Sequence, residues 1–411
     1  MTGWDKLGIR PGEILLPKGE YLNRRWPVVA CDQYTSQPEV WEAVDREIGD
    51  VPSTLRLIVP EAFLAETRER SLAAAQAMSE YLKQDLFTAL LDSFILVERR
   101  TQSGARLGLV ALVDLEAYDY RPGSQSLIRA TEETVLDRLP PRLQLREQAA
   151  LELSHVMLLL DDPADSLLGP LYLARQSLPL VYDLPLLMAG GQIRGWRVAP
   201  GEASARVAEA LGALLDRLSP GAPLFAVGDG NHSLAAAKAF WEAQKAGLTR
   251  AEQARHPARF ALAELVNLRS PALLFEPIHR MAFGVGQEAV LEVLAPLGPV
   301  HQAEGFDIVL IGDKGDLPLS LKNTGSQLIT EALQRRLDEA ALPLDYVHGE
   351  EALRQIAAQR GGTGILMPDF PKDQLFPVVR QYGRLPRKTF SMGEANEKRF
   401  YLEARRIRQA L

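Results

Sequence analysis

The sequence predicts a mixed α/β protein, built from mixed sheets with helices on their faces. Two observations lead there. Apolar runs of strand length alternate along the chain with amphipathic runs of helix length, and no internal repeat sets a fixed period. Hairpin-like pairs dominate the first half, while strands and helices alternate in the second.

In chain order, alanines and leucines at three- and four-residue spacing predict one or two helices over Glu61–Leu91. Phe94–Glu98 and Arg106–Leu115 read as strands joined at Gln102-Ser103-Gly104. Glu132–Leu139 reads as a short helix stopped by Pro140-Pro141. His155–Leu160 is a buried strand, and Leu180–Leu187 with Ile193–Val198 forms a hairpin turning at Gly190-Gly191. Ala203–Leu218 is an amphipathic helix, Pro223–Val227 a strand and Ser233–Lys245 an alanine-rich helix. Phe260–Asn267 and Leu273–Phe275 read as extended, Asp307–Ile311 and Gly364–Met367 as strands, and Gln327–Ala341 as a helix. A helix from about Glu394 to Gln409 closes the chain. The organisation expected is an N-terminal α/β region over 1–270 and a C-terminal one over 271–411.

Composition narrows the function classes. A formal charge of −7 over 411 residues argues against general affinity for nucleic acid or anionic lipid. Between Arg380 and Arg408, however, nine Lys or Arg stand against three Glu, which leaves the remainder strongly acidic. Leu, Phe and Tyr interleave with those cations, which favours internal docking or a pocket wall over a nucleic-acid-binding tail. Cys31 is the only cysteine, so neither an intramolecular disulfide nor a cysteine-rich metal cluster can form. The six histidines never fall at His-x-x-x-His spacing, which disfavours a dedicated zinc site. No leader-like segment and no apolar stretch of about 20 residues is visible, so a cytoplasmic protein is expected.

Chemistry concentrates in Phe225–Trp241. An apolar strand ends at Gly228-Asp229-Gly230 and a helix begins at once. A helix start leaves backbone N–H groups unpaired and carries partial positive charge, so an anion settles there. Gly228 and Gly230 allow close approach, while Asp229, Asn231 and His232 add a carboxylate, an amide and an imidazole. The same residues also suit a plain turn, with Asn231 or Ser233 as helix cap. No Gly-Lys-Ser/Thr follows, which excludes a Walker loop, and the third glycine of a dinucleotide fingerprint is missing.

Gly-Asp-Gly-Asn-His-Ser (228–233) resembles the Asp-Gly-His/Asn-His motif of the prokaryotic domain of unknown function 1015 family. Ala30-Cys-Asp-Gln-Tyr34 with Ser36–Trp41, Ile128–Arg138 with Pro140–Arg142, Glu276–Arg280 and Leu385–Glu394 fit the same family. Its motif looks like that of the ParB/sulfiredoxin-like superfamily, whose members bind nucleotides and include free-serine kinases. The resemblance implies a ParB/sulfiredoxin-like element around the motif. In those relatives the motif usually ends in an arginine that grips phosphate; here the position is Ser233, so another cation must substitute.

Candidate partners are Glu132 and Arg138 at the predicted short helix, Asp32 at the end of the Val28–Ala30 strand, His279 and Arg280, and Lys388 in the basic segment. Solvated charges, a turn carboxylate, a satisfied core histidine and, for Ser391 and Glu394, a capping box explain many of the same positions. The reading these residues lead to is a phosphoryl-transfer enzyme, kinase or phosphatase, acting on a small hydroxylated metabolite, with serine or phosphoserine favoured by the superfamily resemblance. Asp229, His232 and Glu132 would be catalytic. Gly228, Gly230, Asn231, Asp32, Arg138, His279, Arg280 and Lys388 would bind phosphate or substrate. The expected cofactors are a nucleotide, ATP or ADP, and Mg2+ on Asp229. A homo-oligomer is compatible with the sequence. The alternative is a non-catalytic nucleotide- or metabolite-binding regulator of the same superfamily.

Overall fold

Residues 3–132, 139–325, 328–386 and 388–408 are described by a computed structural model. They form a mixed α/β fold of two compact units. Unit 1 comprises Met1–Leu273, Phe376–Arg384 and Gly393–Leu411; unit 2 comprises Leu274–Leu375 and Leu385–Met392.

Unit 1 is organised by one large mixed sheet. Its central strands, in spatial order, are Ile128–Ala130, Phe225–Asp229, Met157–Leu160, Phe260–Asn267, Gly104–Asp114, Phe87–Thr101 and Gly12–Pro17. Phe225–Asp229 runs parallel to Ile128–Ala130 and antiparallel to Met157–Leu160. Successive residues of one strand feed two different cores: Phe94 and Leu96 join one, Ile95 and Val97 the other. Side chains alternate across a strand, so a sheet covered on both faces needs apolar residues at every position. That is why Phe94–Val97 and Leu109–Val113 read as unbroken apolar runs.

The strands expected over Phe94–Glu98, Ile193–Val198 and Phe260–Asn267 lie within observed ones, and several of the differences have local causes. The helix expected over Glu61–Leu91 is a 3-10 turn, Glu61–Glu66, followed by the helix Thr67–Lys83. Asp85 then takes a left-handed φ of +52°, which ends helical propagation, and Phe87–Leu91 enters the long strand Phe87–Thr101. Pro140 and Pro141 do not stop a helix. They fall in the first turn of one, Leu139–Gln148, where an amide proton has no intrahelical acceptor to lose. Residues 133–138, including Arg138, lie outside the described residues.

The closing helix expected from Glu394 is also absent. Ala395–Glu397 is a 3-10 turn, and Phe400–Tyr401 and Ala404–Arg406 are strands paired with Val28–Val29 and with Leu15 and Leu151–Leu153. The cap of that turn is Glu394, boxed by Glu397, whereas Ser391 sits in the strand Phe390–Met392. Tertiary pairing with distant strands overrides the local helical preference here.

Unit 2 has its own sheet, in the order Pro299–His301, Gly315–Leu321, Ile308–Gly312, Gly362–Leu366, Phe275–Phe283 and Leu344–His348, with Phe390–Met392 paired to Phe275–Pro277. Helices Gln287–Leu294 and Ile329–Glu339 cover one face with Leu294, Leu333 and Leu337, and Glu350–Arg360 contributes Leu353 to a second cluster. No described helix is long and apolar enough to cross a membrane.

Candidate functional site

The glycine corner is built by a slip in strand register. Val227 faces Leu158, yet Asp229 faces Met157, so Gly228 is the extra residue of a bulge. A bulge bends its strand and re-aims the next side chain, here Asp229. Asp229 Oδ1 accepts the Gly230 N–H at 2.8 Å, and Gly230 adopts φ +77°, ψ 27° as the N-cap of the helix Asn231–Lys245. A Cβ at Gly230 would lie 3.0 Å from Val156 Cα and 3.4 Å from His155 Nε2. Glycine is therefore demanded twice, by backbone angle and by the approach of His155.

Gly230 has no side chain with which to cap this helix, so the N-cap position itself offers its first-turn amides no side-chain acceptor. Asn231 is otherwise engaged: its Oδ1 accepts the Thr131 N–H at 3.2 Å, and its Nδ2 donates to Thr131 Oγ1 at 3.4 Å. Thr131 Oγ1 donates in turn to the Val227 carbonyl at 2.6 Å. Thr131 thus ties the motif to the neighbouring strand, and half-buried Glu132 follows it directly. His232 is half-buried in the first helical turn.

A buried polar chain stands beside Gly230. His155 Nε2 lies 3.6 Å from Asp32 Oδ2, an ion-pair distance, and His155 Nδ1 is 2.7 Å from the Tyr401 hydroxyl. That hydroxyl donates to Cys31 Sγ at 3.0 Å. A hydroxyl has one proton, so while it donates to Cys31 it must accept from His155 Nδ1–H. An imidazolium that also turns Nε2–H toward Asp32 satisfies every contact.

The electrostatics agree with that assignment. Burial works to lower the His155 pKa, but the charge and hydrogen bond of Asp32, with the Asp229 charge, together hold the ring above its ordinary value. Burial works to raise Asp32, and the charge and hydrogen bond of His155, with Gln33 and Lys398, together overcome it and leave the carboxyl far below the usual range. Burial, reinforced by Asp32, pushes the Cys31 thiol up to about 12. Cys31 is a thiol here and no nucleophile. Lys398 Nζ completes the corner, 3.5 Å from Asp229 Oδ2.

His155, Tyr401 and Cys31 also border a cavity of about 130 Å³, which Asp32, Asp229 and Lys398 do not line. Its wall includes Cys31, His155, Tyr401, and Ser233 and Ala236 from the motif helix, with Leu57, Ile58, Met78, Leu145 and Leu151 supplying an apolar lining. Arg142, paired with Glu61, and Arg146, paired with Glu152, add charge. Among the described residues no group of three His, Cys, Asp or Glu side chains could hold a metal ion.

Within unit 1 the fold assembles Asp229, Gly230, Asn231 and Asp32 around His155 and Lys398. His279, Arg280 and Lys388 belong to unit 2. There, buried His279 accepts the Met367 N–H through Nδ1 at 3.1 Å, and burial draws its pKa down. Arg280, wholly buried, donates to Gln334 Oε1 at 2.9 Å and to the carbonyls of Lys388 and Ile278. Lys388 has a φ of +58° and an exposed side chain. Sequence reasoning missed His155, Lys398 and Tyr401. Their signal was faint: a histidine opening an apolar strand, and cations alternating with aromatics in Lys398–Tyr401.

Fold and corner together define a mixed α/β protein that carries a glycine-capped helix start against a buried imidazole–phenol pair and a half-buried carboxylate. The chain belongs to the family described as protein of unknown function (DUF1015), which matches residues 9–340. No curated protein matches it. Among solved structures it is similar to a mutant free serine kinase in complex with AMP, at 12% identity and a TM-score of 0.39, covering 70% of this chain and 88% of that one. It is also similar to a conserved hypothetical protein from Pyrococcus furiosus, at 10% identity and a TM-score of 0.35, covering 69% and 90%. A third likeness is to SbnI with C-terminal truncation from Staphylococcus aureus, at 11% identity and a TM-score of 0.38, covering 69% and 82%.

Proposed function

We propose that this protein is a phosphoryl-transfer enzyme acting on a small hydroxylated metabolite, with serine and phosphoserine the first members of that class to assay. The observation that carries the reading is the Asp229–Lys398 pair, 3.5 Å apart beside a helix start whose N-cap is a glycine. Phosphoryl transfer depends mostly on positioning and charge, which is what such a corner supplies. Lys398 takes the part of the cation that Ser233 cannot play.

In this reading the first-turn amides and Lys398 receive the transferring phosphoryl group. The metabolite hydroxyl oxygen bonds to phosphorus as the bond from phosphorus to the leaving oxygen breaks, and the hydroxyl proton passes to the Asp229 carboxylate. Glu132 and His232 edge the same corner and orient the acceptor. Asp32 and His155 form the fixed polar wall behind Gly230. The phosphoryl donor is a nucleotide, ATP or ADP. Mg2+ would enter on its phosphates with Asp229 as a single protein ligand, since Mg2+ is commonly held by one or two carboxylates plus substrate phosphates. Nothing in the reading draws on His279, Arg280 or Lys388.

The test is turnover. Purified protein is incubated with ATP or ADP plus serine and other small hydroxy acids, and separately with phosphoserine, while phosphorylated product or released phosphate is followed. Asp229→Ala is expected to lower kcat by about 10²–10⁴-fold, the usual worth of a positioned acid/base group. Nucleotide binding with no turnover on any member of the panel would overturn the enzyme reading and leave a binding regulator.

A further inference from the structure

The cavity beside the motif has a charge and a lining that together specify an occupant. Its volume, about 130 Å³, is close to the roughly 150 Å³ of an apolar cavity that accepts benzene. Most of the wall is aliphatic, with Leu57, Ile58, Met78, Leu145, Leu151 and Ile407 among its residues. A ligand as polar as serine would leave that surface poorly matched; a branched or aromatic body would cover it.

Positive charge is in excess around one carboxylate of the wall, through an arginine that does not itself line the cavity. Glu152 is shared by two guanidiniums: Arg146 Nη2 and Arg405 Nη1 both meet its Oε2, the latter at 3.3 Å. Its other oxygen accepts the Leu262 N–H at 2.6 Å. Two cations on one carboxylate leave one positive charge over. The buried Nε–H of Arg146, moreover, meets no acceptor among the described residues. A buried donor without a partner is costly, and a carboxylate would supply the acceptor together with a countercharge.

We infer that this cavity binds a small monocarboxylic acid with an apolar body larger than the serine side chain, its carboxylate set against Arg146. The assignment deepens the phosphoryl-transfer reading, on which it rests only for calling that acid the acceptor; Ser233 and Ala236 place the cavity against the same helix start. In that role the ligand is a hydroxy acid or amino acid whose hydroxyl reaches the Asp229–Lys398 corner.

Binding alone tests the inference, without nucleotide and without turnover. Isothermal titration calorimetry on the full chain at pH 7 uses isovalerate and benzoate as probes, with serine and adenosine as comparators. Both acids are expected to bind more tightly than either comparator. Arg146→Gln should weaken them at least tenfold, and Leu145→Trp, which fills the cavity from a half-buried position, should abolish binding with an unchanged circular dichroism spectrum. Leu145→Trp leaves the ion pairs in place, so it still decides the matter if Arg146→Gln fails to fold. Failure of both acids to bind, tighter binding of serine or adenosine, or affinity for the acids unaltered in Leu145→Trp would overturn the inference. Acid binding that obeys both substitutions in a protein without kinase or phosphatase turnover would uphold the cavity while removing the phosphoryl-transfer reading.

Discussion

Replacing Arg399 by methionine removes the centre of the most deeply buried charge cluster in unit 1. The Arg399 guanidinium donates to Glu264 Oε2 at 2.9 Å, to Glu403 Oε2 at 2.8 Å and to the Ser154 carbonyl, with all three charged side chains less than 5% exposed. Methionine fills much of the space but leaves two carboxylates in the interior without their counter-charge. Removing one partner from a buried pair costs about 3–5 kcal/mol, far more than the pair itself contributes. Burial already raises the Glu403 pKa, and without Arg399 that rise must grow. A carboxyl whose folded-state pKa exceeds its unfolded value destabilises the fold as pH rises, so the deficit of Arg399→Met should shrink as pH falls from 8 toward 5. Urea unfolding of both proteins across that range measures it. The double variant Arg399→Met, Glu403→Gln should recover at least about 1 kcal/mol at pH 8, because a neutral amide no longer needs the cation. A deficit under about 1 kcal/mol, or one that does not change with pH, would show that this cluster is not held as an internal ion network.

Three further outcomes are expected. Asp32→Asn should cost most stability between about pH 4 and 6.5: the lowered Asp32 pKa contributes once pH exceeds its unfolded value, and the raised His155 pKa contributes until pH climbs through its folded value; equal loss at pH 5 and pH 9, by denaturant midpoint, would contradict this. Gly230→Ala should lose about 1–3 kcal/mol from the left-handed backbone alone, with the 3.0 Å contact to Val156 adding to it; a denaturant midpoint matching that of the parent would refute the strain argument. Cys31, with its thiol pushed from 9.0 to about 12 by burial and by Asp32, should react with a thiol reagent at pH 8 about a thousandfold more slowly in the native protein than after unfolding; comparable rates would mean that the thiol is not held away from water beside Asp32.

What the sequence disclosed followed the range of the interaction involved. Phe225–Val227, Phe260–Asn267 and the hairpin Leu180–Pro185/Gln192–Val198 were legible because burial on both faces, or a Gly190-Gly191 turn, writes itself into consecutive residues. The Asp229-Gly230 corner was legible because one position needs a residue without Cβ. Asn231 could be seen as chemically loaded, but its engagement with Thr131, 100 residues earlier in the chain, could not. Lys388 was named as a candidate cation and Lys398 was not considered, because nothing local marks either lysine in a basic stretch; the pairing of Phe400–Tyr401 with Val28–Val29 carries Lys398 to Asp229.

That basic stretch shows why charge counted along a chain misleads about charge in space. Its excess cations suggested either a surface for anions or an internal role, and the partners decide between them. Arg399 meets Glu264 and Glu403, Arg405 meets Glu152, Arg406 meets Glu13, and Arg408 donates to the Ala149 and Glu147 carbonyls. Several of those acids lie more than a hundred residues away, so Arg399, Arg405 and Arg406 serve an internal pairing with the acidic remainder. The same extended segment places Tyr401 on His155 and Lys398 on Asp229, so the ion pairs that seat it also set the corner's geometry. A loosened Arg399 should therefore disturb His155 and Lys398 together: an imidazole pKa measured by NMR in Arg399→Met should move toward its ordinary value. An unmoved His155 would mean that the site stands independently of the clamp beside it.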